Sequence, residues 1–495
     1  MIEATKTESN MPARDELPIA ALRQLWQAAG GAEDALQRVS LGGAEPVLAS
    51  SFAVGTAAQA SLAAGALAAA ELGRWRNGLT QQLAVDMRHA ALEACTCFRI
   101  DGQPVPLWDK LSGLYPCGDD DGAGGWVRIH TNFAHHRDAA LRLLGLLGLP
   151  RLTDGASAEP ADVRQSLRSW HALDFEQAAA DAGGAVAALR SFDTWDRHPQ
   201  GQAVARQPVL QWTRLGDAPP RALPPLPLQA RPLQGVRVLD LTRILAGPVG
   251  TRTLAAHGAD VLLVNSPRLP NIEALAETSR GKLSALADLH TAAGGHAFER
   301  VLRDAHVLVQ GYRPGALQRL GYGAEALAEA HPGIVVVSLS AYGSTGPWAG
   351  RRGFDSLVQT ASGFNIAEAQ ACGSGAARAL PMPILDHASG HLMALAACAA
   401  LLRQQHEGGS WHVQVSLAAT GHWLRMLGRV ADGFSAPPPD FGPYLETTDS
   451  GFGRLTALRH AAQLSATPPA WTRPSVPPGT HPLAWPATPR TASEC

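Results

Sequence analysis

The sequence predicts an α/β protein: a parallel β-sheet with helices on both faces. Four short runs rich in β-branched residues recur at 236–241, 259–264, 305–310 and 333–338, and helical stretches lie between them. This alternation is the pattern of parallel strands joined by crossover helices. A hydrophobic share of 46% with 17% charged residues is typical of a folded chain.

The first half of the chain is predicted to be mostly helical. Residues 1–15 are polar and mixed in charge, which predicts a disordered leader and no signal peptide. Residues 16–225 form the next predicted unit. Its expected elements are a helix at 22–26, a long Ala-rich helix at 57–75, a strand or helix lead-in at 82–86, a strand near 124–130 and a Leu-rich helix at 138–148.

The second half contains the predicted sheet domain, residues 232–430. A proline-rich stretch at 208–235 is expected to be a linker that crosses the surface before it. Ligand sites of such sheets lie beyond the carboxyl ends of the strands. Residues 465–495 form a Pro-rich tail that we expect to be extended or disordered.

Charge and cysteine usage exclude several classes of partner. A net charge of −2 gives no field that attracts nucleic acid or an anionic membrane. The Ala-rich stretch at 57–72 is too short to span a bilayer. The six cysteines are scattered and lack metal or redox spacing, so we expect free thiols and a cytoplasmic protein.

Several catalytic motifs are missing from the sequence. No glycine fingerprint follows the first strand of the sheet, which argues against a dehydrogenase, and neither a Walker loop nor a nucleophile elbow occurs. His387 and His391 have helical spacing but no evident third ligand, so no metal site is expected. The cluster His130, His135 and His136 is predicted to lie on a surface loop.

Cationic residues accumulate near the predicted strand ends. As a set facing one crevice, they suggest a phosphorylated ligand, because guanidinium groups match phosphate oxygens. The set comprises Arg243, Arg268, Arg280, Lys282, Arg313, Arg319, Arg351 and Arg352.

Asp386 is the candidate catalytic residue. It stands where an apolar run ends and a long Ala/Leu helix begins. An aspartate there is either a helix N-cap or a nucleophile kept ionised by the helix N-terminus, and residue types alone leave both open. Residues 57–85 resemble 387–415 in pattern, with Thr56 in the place of Asp386.

Five motifs in order resemble the class III CoA-transferase family (CaiB/BaiF), which includes carnitine- and formate-type CoA-transferases and acyl-CoA racemases. They are GVRVLDLTRILAGP at 235–248, GYRPGAL at 311–317, LSAYGSTGP at 339–347, RGFD at 352–355 and DHASG at 386–390. The resemblance implies this family's fold, a Rossmann-like sheet domain accompanied by a smaller α+β domain. It also implies that Asp386 is the nucleophile, passing through an aspartyl anhydride and an aspartyl-CoA thioester.

The same resemblance implies which residues bind coenzyme A. By position these are Arg243, Ile244, Leu245, Ala246, Gly311, Tyr312, Arg319 and Arg352. Two positions depart from the family pattern: family members have a polar residue in place of Leu245, and an acid followed by a basic residue or proline in place of Asn265 and Ser266. CoA and acyl-CoA would be substrates, a carboxylic acid would be the acceptor, and no permanently bound cofactor or metal is implied.

The first half resembles the family's C-terminal half, which normally follows the nucleophile helix. The matching segments are YPCG at 115–118, GWVRIH at 125–130, WDRHPQG at 195–201 and LGDAPP at 215–220. The chain is therefore expected to carry the family halves in permuted order, with Thr56 marking the remnant of a second site. Family members form homodimers, and we expect the same here.

Three functions follow as alternatives. The first is CoA transfer between an acyl-CoA and a carboxylic acid. The second is an α-methylacyl-CoA racemase, which the resemblance supports less because the family's histidine is replaced by Phe354. The third is a non-catalytic CoA-binding or assembly subunit, which an intact Asp386 disfavours.

Overall fold

The computed structural model describes residues 15–118, 123–147 and 155–486. Its α-helices are α1 (Leu17–Ala28), α2 (Val54–Asn77), α3 (Met87–Glu93), α4 (Ala134–Leu143), α5 (Pro160–Leu167), α6 (Ala172–Asp181), α7 (Phe192–Arg197), α8 (Pro199–Ala205), α9 (Ala246–Ala256), α10 (Leu275–Thr278), α11 (Ala292–Leu302), α12 (Ala324–Ala330), α13 (Asp355–Ser362), α14 (Phe364–Ala371), α15 (Ile384–Glu407) and α16 (Leu417–Met426).

The strands are β1 (Val39–Gly42), β2 (Leu83–Asp86), β3 (Phe98–Ile100), β4 (Gln103–Pro104), β5 (Gly113–Pro116), β6 (Trp126–Ile129), β7 (Val186–Ala188), β8 (Gln211–Leu215), β9 (Arg237–Leu241), β10 (Asp260–Asn265), β11 (Leu283–Leu286), β12 (Val307–Gln310), β13 (Val335–Ser340), β14 (Ser410–Ser416), β15 (Leu445–Ser450), β16 (Gly453–Leu458) and β17 (Ala462–Leu464). Short 3₁₀ helices occur at Glu33–Arg38, Gly155–Ser157, Gln318–Leu320, Gly433–Ser435 and Gly442–Tyr444.

A seven-stranded sheet organises the second half, in the order β11-β10-β9-β12-β13-β14-β8. All neighbouring pairs are parallel except β14 with β8, which is antiparallel. The four predicted strands are β9, β10, β12 and β13, so the α/β prediction is confirmed. Their β-branched runs are buried on both faces, as expected for a sheet covered by helices.

The proline-rich stretch differs from the predicted linker at its start. Residues 211–215 are β8, the edge strand of the main sheet, with Trp212 opposite Val413. The prolines lie on either side of this strand, so they remove none of its ladder hydrogen bonds. The linker prediction was therefore wrong for these residues, and the rest of the stretch contains no further strand or helix.

A smaller α+β unit lies in the first half, as predicted. The antiparallel sheet β5-β6-β7 packs with α4, α5 and α6 around its own hydrophobic cluster, which includes Tyr115, Val127 and Phe175. Two further small sheets, β1-β2-β17 and β15-β16-β3-β4, join residues from both ends of the chain. The two halves of the chain therefore contribute strands to the same sheets and do not form two independent domains.

The internal similarity of the sequence corresponds to a structural repeat. Helices α2 and α15 each contain 24 residues, and each begins after a residue with nearly the same backbone angles, φ −75° and ψ 60° at Ala53, φ −73° and ψ 62° at Pro383. The helices pack against each other. Ser61 Oγ lies 3.4 Å from His391 Nδ1, two residues separated by 330 positions in sequence. Each helix is followed by a strand, β2 or β14, and a capped helix, α3 or α16.

Helix α15 is long and apolar enough to cross a membrane by length and composition, but 94% of its most apolar stretch is buried inside the protein. It packs between α2 and α9 and against strands β13 and β14. Core helices of folded proteins have the same composition, so this helix is a structural element of the core.

The C-terminal tail was predicted to be extended or disordered. Residues 465–486 contain no helix or strand and pack against the rest of the protein: Arg280 lies 3.8 Å above the Trp471 ring, and Trp485 donates a hydrogen bond to the Val301 carbonyl over 2.8 Å. The described part of the tail is thus extended and ordered. Residues 1–14 of the predicted leader and 487–495 of the tail lie outside the described residues.

Candidate active site

The turn after β9 is fixed by a buried aspartate. Asp240 accepts hydrogen bonds from the backbone N–H of Thr242 over 2.9 Å and from the side chains of Thr242 and Thr251. Lys282 Nζ lies 3.0 Å from Oδ2, the oxygen that also accepts from Thr251, and both side chains of this ion pair are fully buried. Because breaking a buried pair leaves an uncompensated charge, this network holds the β9–α9 turn in one conformation.

The turn lies at the topological switch point of the sheet. Strand β9 has β10 on one side and β12 on the other, so the loops that follow β9 and β12 leave in different directions. A crevice opens between such loops, and ligands of doubly wound sheets bind there. Ile244, Leu245 and the start of α9 lie on one side of this crevice, and Gly311 and Tyr312 lie on the other.

Asp386 enters the crevice from the N-terminus of α15. It is the third residue of the helix, and the capping position is occupied by Pro383. The N-cap interpretation of Asp386 was therefore wrong. Within the described residues its carboxylate accepts no hydrogen bond, and it remains partly exposed to the cavity. The side chain is thus available for chemistry and not used for capping.

A second carboxylate, Asp355, supports the start of this helix. Asp355 Oδ2 accepts the backbone N–H of Asp386 over 3.0 Å, and the carboxylate also accepts from the Gln359 amide and the backbone of Leu385. Burial raises the pKa of Asp355 to about 6, against the opposing effect of these hydrogen bonds. Burial, and then the Asp355 charge, raise the pKa of Asp386 well above its ordinary value.

The different bonding of the two carboxylates separates their roles. Hydrogen bonds from N–H groups favour the ionised form, and Asp355 receives them while Asp386 receives none. Asp355 is therefore the member of the pair that ionises first. Asp386 takes up a proton more readily, and its anion is poorly solvated and reactive when it forms.

The structure brings most of the predicted site residues into one cavity of about 310 Å³. The residues lining it include Asp386, Arg243, Ile244, Leu245, Ala246, Gly311, Tyr312 and Arg352. Arg319 is the exception, because it lines an adjoining cavity of about 290 Å³. Tyr312 lines both, so the two cavities are neighbours on the same edge of the sheet.

Four of the predicted cations reach the main cavity: Arg243, Arg313, Arg351 and Arg352. Arg352 donates to the carbonyl of Gly183, and Arg243 donates to the carbonyl of Pro270. Burial lowers the pKa of both guanidinium groups from their ordinary values.

Three other predicted cations have structural contacts instead. Arg280 is buried and paired with Glu277. Lys282 precedes β11 and so lies at the amino end of its strand, paired with Asp240. Arg268 forms a 2.6 Å ion pair with Asp288 at the surface. Including Arg280 and Lys282 in a phosphate-binding set was wrong, because both are buried in ion pairs ahead of β11, at the amino end of that strand. Arg268 follows the carboxyl end of β10, and its inclusion stays a prediction.

The first half of the chain forms the opposite wall of the cavity. Phe133, His135 and His136, from the start of α4, line it together with Asp386. His130 and His136 are 5% and 4% exposed, so the prediction of a surface loop was wrong for these two. The residue types carried no signal for this position, because it results from docking of the small unit onto the sheet.

Aromatic stacking joins this wall to the helix that carries Asp355. The His130 ring stacks on Phe354, with centroids 4.0 Å apart and planes 12° apart. The His136 ring lies 5.7 Å from the Phe354 ring and 5.6 Å from the Phe133 ring. Phe354 occupies the N-cap position of α13, next to Asp355. The wall formed by Phe133, His135 and His136, called the histidine wall below, is therefore held close to the carboxylate pair.

Helix α2 has a related arrangement at its own N-terminus. Thr56 is its third residue, as Asp386 is in α15, and its backbone N–H donates to Glu45 over 2.7 Å. Burial raises the pKa of Glu45. Both residues line a cavity of about 400 Å³. The repeat therefore includes a carboxylate that accepts a backbone N–H at the start of each helix. At the third helical position, however, α2 has Thr56 where α15 has the acid Asp386.

In the described ranges, no group of three His, Cys, Asp or Glu side chains is placed to hold a metal ion.

Comparison with known proteins shows which family the sheet region resembles. Residues 233–431 match the description "CoA-transferase family III". An acyl-CoA transferase of Gibberella moniliformis is 28% identical over 374 residues, covering 68% of this chain and 64% of that protein. A probable fatty acyl-CoA transferase of Mycobacterium tuberculosis is 34% identical over 38% of this chain and 51% of its own length.

A succinate–glutarate CoA-transferase of Agrobacterium fabrum is 30% identical over 39% of this chain and 52% of its own length. The chain thus spans about half to just under two thirds of these relatives. Among solved structures, a CAIB/BAIF family protein from Brucella suis is 26% identical over 46% of this chain and 65% of that chain, with a TM-score of 0.36.

Proposed function

We infer that this chain, whose residues 233–431 match CoA-transferase family III, transfers CoA from an acyl-CoA to a carboxylic acid. The observation that carries the proposal is the position of Asp386. A carboxylate with no hydrogen bond among the described residues lies at the start of a buried helix, inside the crevice between the β9 and β12 loops. That crevice is where a doubly wound sheet binds its ligand.

The proposed reaction begins with attack by Asp386. Its carboxylate oxygen forms a bond to the thioester carbon, the C–S bond breaks, and CoA leaves as the thiolate. The thiolate then attacks the aspartyl carbonyl of the resulting anhydride, which releases the donor acid and leaves an aspartyl-CoA thioester. Covalent catalysis of this kind divides one difficult exchange into easier steps.

The acceptor reverses these steps. Its carboxylate attacks the aspartyl thioester, CoA again leaves as the thiolate, and a new mixed anhydride forms. Attack of the thiolate on the acceptor carbonyl gives the new acyl-CoA and restores the Asp386 carboxylate. No metal or redox group enters the scheme.

The cations at the crevice are proposed to hold the phosphates of CoA. Arg243, Arg313, Arg351 and Arg352 line the cavity from loops on both sides of the switch point. Guanidinium groups bind phosphate oxygens in pairs of parallel hydrogen bonds. Arg319 lines the adjoining cavity and is proposed to contact a more distant part of the same ligand.

Trapping of the covalent intermediate tests the proposal. The protein is incubated with a panel of acyl-CoA donors, treated with hydroxylamine and analysed by peptide mass spectrometry. We expect the peptide containing Asp386 to be modified and the Asp386→Asn protein to remain unmodified. A wild-type protein that binds CoA but is never modified would instead support a binding or assembly subunit.

Product analysis with pairs of acyl-CoA and acid identifies the donor and the acceptor. Deuterium incorporation at the α-carbon of a branched acyl-CoA, without transfer, would support racemisation. Sedimentation of the purified protein tests the proposed homodimer, and the cytoplasmic location is likewise a proposal that imaging of the tagged protein would decide.

A further inference from the structure

His136 occupies a fixed position in the cavity that contains Asp386. Its side chain lies on the first turn of α4 and the residue is 4% exposed. The ring packs edge-on against Phe133, with planes at 89°, and lies 5.7 Å from the Phe354 ring. Packing on two sides leaves the imidazole little freedom to rotate, so its nitrogens point in defined directions.

The surroundings of the ring select its protonation state. Burial, followed by His135 and the nearby Arg352, lowers the pKa of His136 to about 3, so the imidazole is neutral at neutral pH. Its Nδ1 is buried and has no hydrogen-bond partner among the described residues. Because an unpaired buried N–H is rare and costly, the favoured tautomer carries its hydrogen on Nε2, the nitrogen left for the cavity.

The helix N-terminus next to Asp386 cannot supply the same donor. Asp355 already accepts the backbone N–H groups of Asp386 and Leu385. Arg352 and Arg243, on the cavity wall, each donate to a backbone carbonyl. The remaining N–H groups of these arginines are the ones proposed to hold the CoA phosphates. A donor for a carbonyl oxygen that becomes negative during attack by Asp386 is therefore sought on the opposite wall of the cavity, where His136 lies.

We propose that His136 donates a hydrogen bond from Nε2 to the carbonyl oxygen of the acyl group that Asp386 attacks. This inference rests on the proposed CoA transfer. When the carboxylate adds to the thioester carbon, the C=O electron pair moves onto oxygen, and the N–H stabilises that charge without transferring its proton. The proton stays on Nε2 as the C–S bond breaks and the carbonyl reforms.

A neutral donor suits this step. The leaving group departs as a thiolate, so the chemistry requires no general acid, and a neutral imidazole has no charge to form a permanent ion pair with Asp355 or Asp386. Donors aimed at developing oxyanions contribute about 10²–10³-fold to the rate when removed singly by mutation.

Three variants test the role of this hydrogen. His136→Phe removes the N–H and keeps an aromatic ring, His136→Gln keeps an N–H at nearly the same reach, and His296→Phe is a matched control on the exposed face of α11. We expect single-turnover acylation of Asp386 by acetyl-CoA to fall about 10²–10³-fold in the first variant and to recover largely in the second. Affinity for acetyl-CoA should change little in either, and the control should match the wild type.

A spectroscopic measurement separates this inference from the proposed function. In the Asp386→Asn protein, the infrared band of carbonyl-labelled acetyl-CoA should move to lower frequency on binding, and His136→Phe should abolish the shift. A shifted band with no acylation in the wild type would refute CoA transfer and leave the donor in place.

Three results would overturn the proposal that His136 is a hydrogen-bond donor. They are full-rate acylation in His136→Phe, a carbonyl frequency that does not change with the substitution, and deuterium incorporation at the acyl α-carbon that depends on His136. The last would identify a base instead. If His136→Phe unfolds, as judged by its thermal transition, His136→Met serves as the second variant without a donor, with the same expectations.

Discussion

Replacing Gly390 by alanine should impair the site without touching any proposed catalytic group. Gly390 lies on α15 one turn beyond Asp386, where the helix crosses α9. A Cβ added there would lie 2.5 Å from the carbonyl oxygen of Ala246, whereas ordinary contact begins near 3.4 Å. The two helices must therefore separate by about 1 Å, because the neighbour is backbone and cannot rotate away.

The expected effects follow from what this displacement moves. Ala246 begins α9 and lines the cavity, so the loop proposed to bind CoA shifts relative to Asp386. Overpacking of a tight contact costs about 1–3 kcal/mol of unfolding free energy. A misplacement of about 1 Å between reacting groups can lower a rate about 10²-fold.

The measurements are the rate of Asp386 acylation and the urea midpoint. Gly375→Ala is the control, since a Cβ at that position meets nothing within 4 Å and its backbone is not left-handed. A Gly390→Ala protein with wild-type stability and wild-type acylation would show that the crossing does not position the site, and the reasoning would fail.

Two further predictions concern charge. The rate of Asp386 acylation should rise with pH through the elevated pKa of that carboxyl. Asp355→Asn should move this pH–rate profile to lower pH, because it removes a neighbouring negative charge. An unchanged midpoint of the profile would contradict the coupling between the two carboxylates. Stability should fall as pH drops below about 6.5, because burial lowers the pKa of His391 and His460 to about 3 in the folded chain, so that they bind protons only on unfolding. Urea titrations from neutral pH towards pH 5 would show it, with His460→Gln giving a shallower slope; a flat wild-type profile would refute it.

Much of the sheet domain follows from the sequence because its signals are local. A strand buried on both faces needs a continuous β-branched run, and the runs at 236–241 and 333–338 leave little alternative. The loops that follow parallel strands share one edge of the sheet, so the approximate position of the crevice follows as well. Asp386 could be placed at a helix start for the same local reason, although its role as a cap or a nucleophile could not.

The remaining features depend on contacts between distant segments. Strand β8 pairs with β14 across nearly 200 residues, and its own sequence between prolines contains no clear strand pattern. The histidine wall exists only because α4 and its neighbours dock on the carboxyl edge of the sheet. Lys282 is a core ion-pair partner because Asp240 lies beneath the turn, which spacing cannot reveal. The permuted order of the family halves stays a prediction.

The pairing of α2 with α15 has a consequence for how the protein responds to dilution. Two similar helices that meet between separate chains dissociate as the concentration falls, whereas here one covalent chain joins them. The effective concentration of each helix at the other is set by the chain and not by the solution. The packed pair of α2 and α15, which supports Asp386, should therefore stay assembled at any protein concentration, even where a dimer of this chain would dissociate.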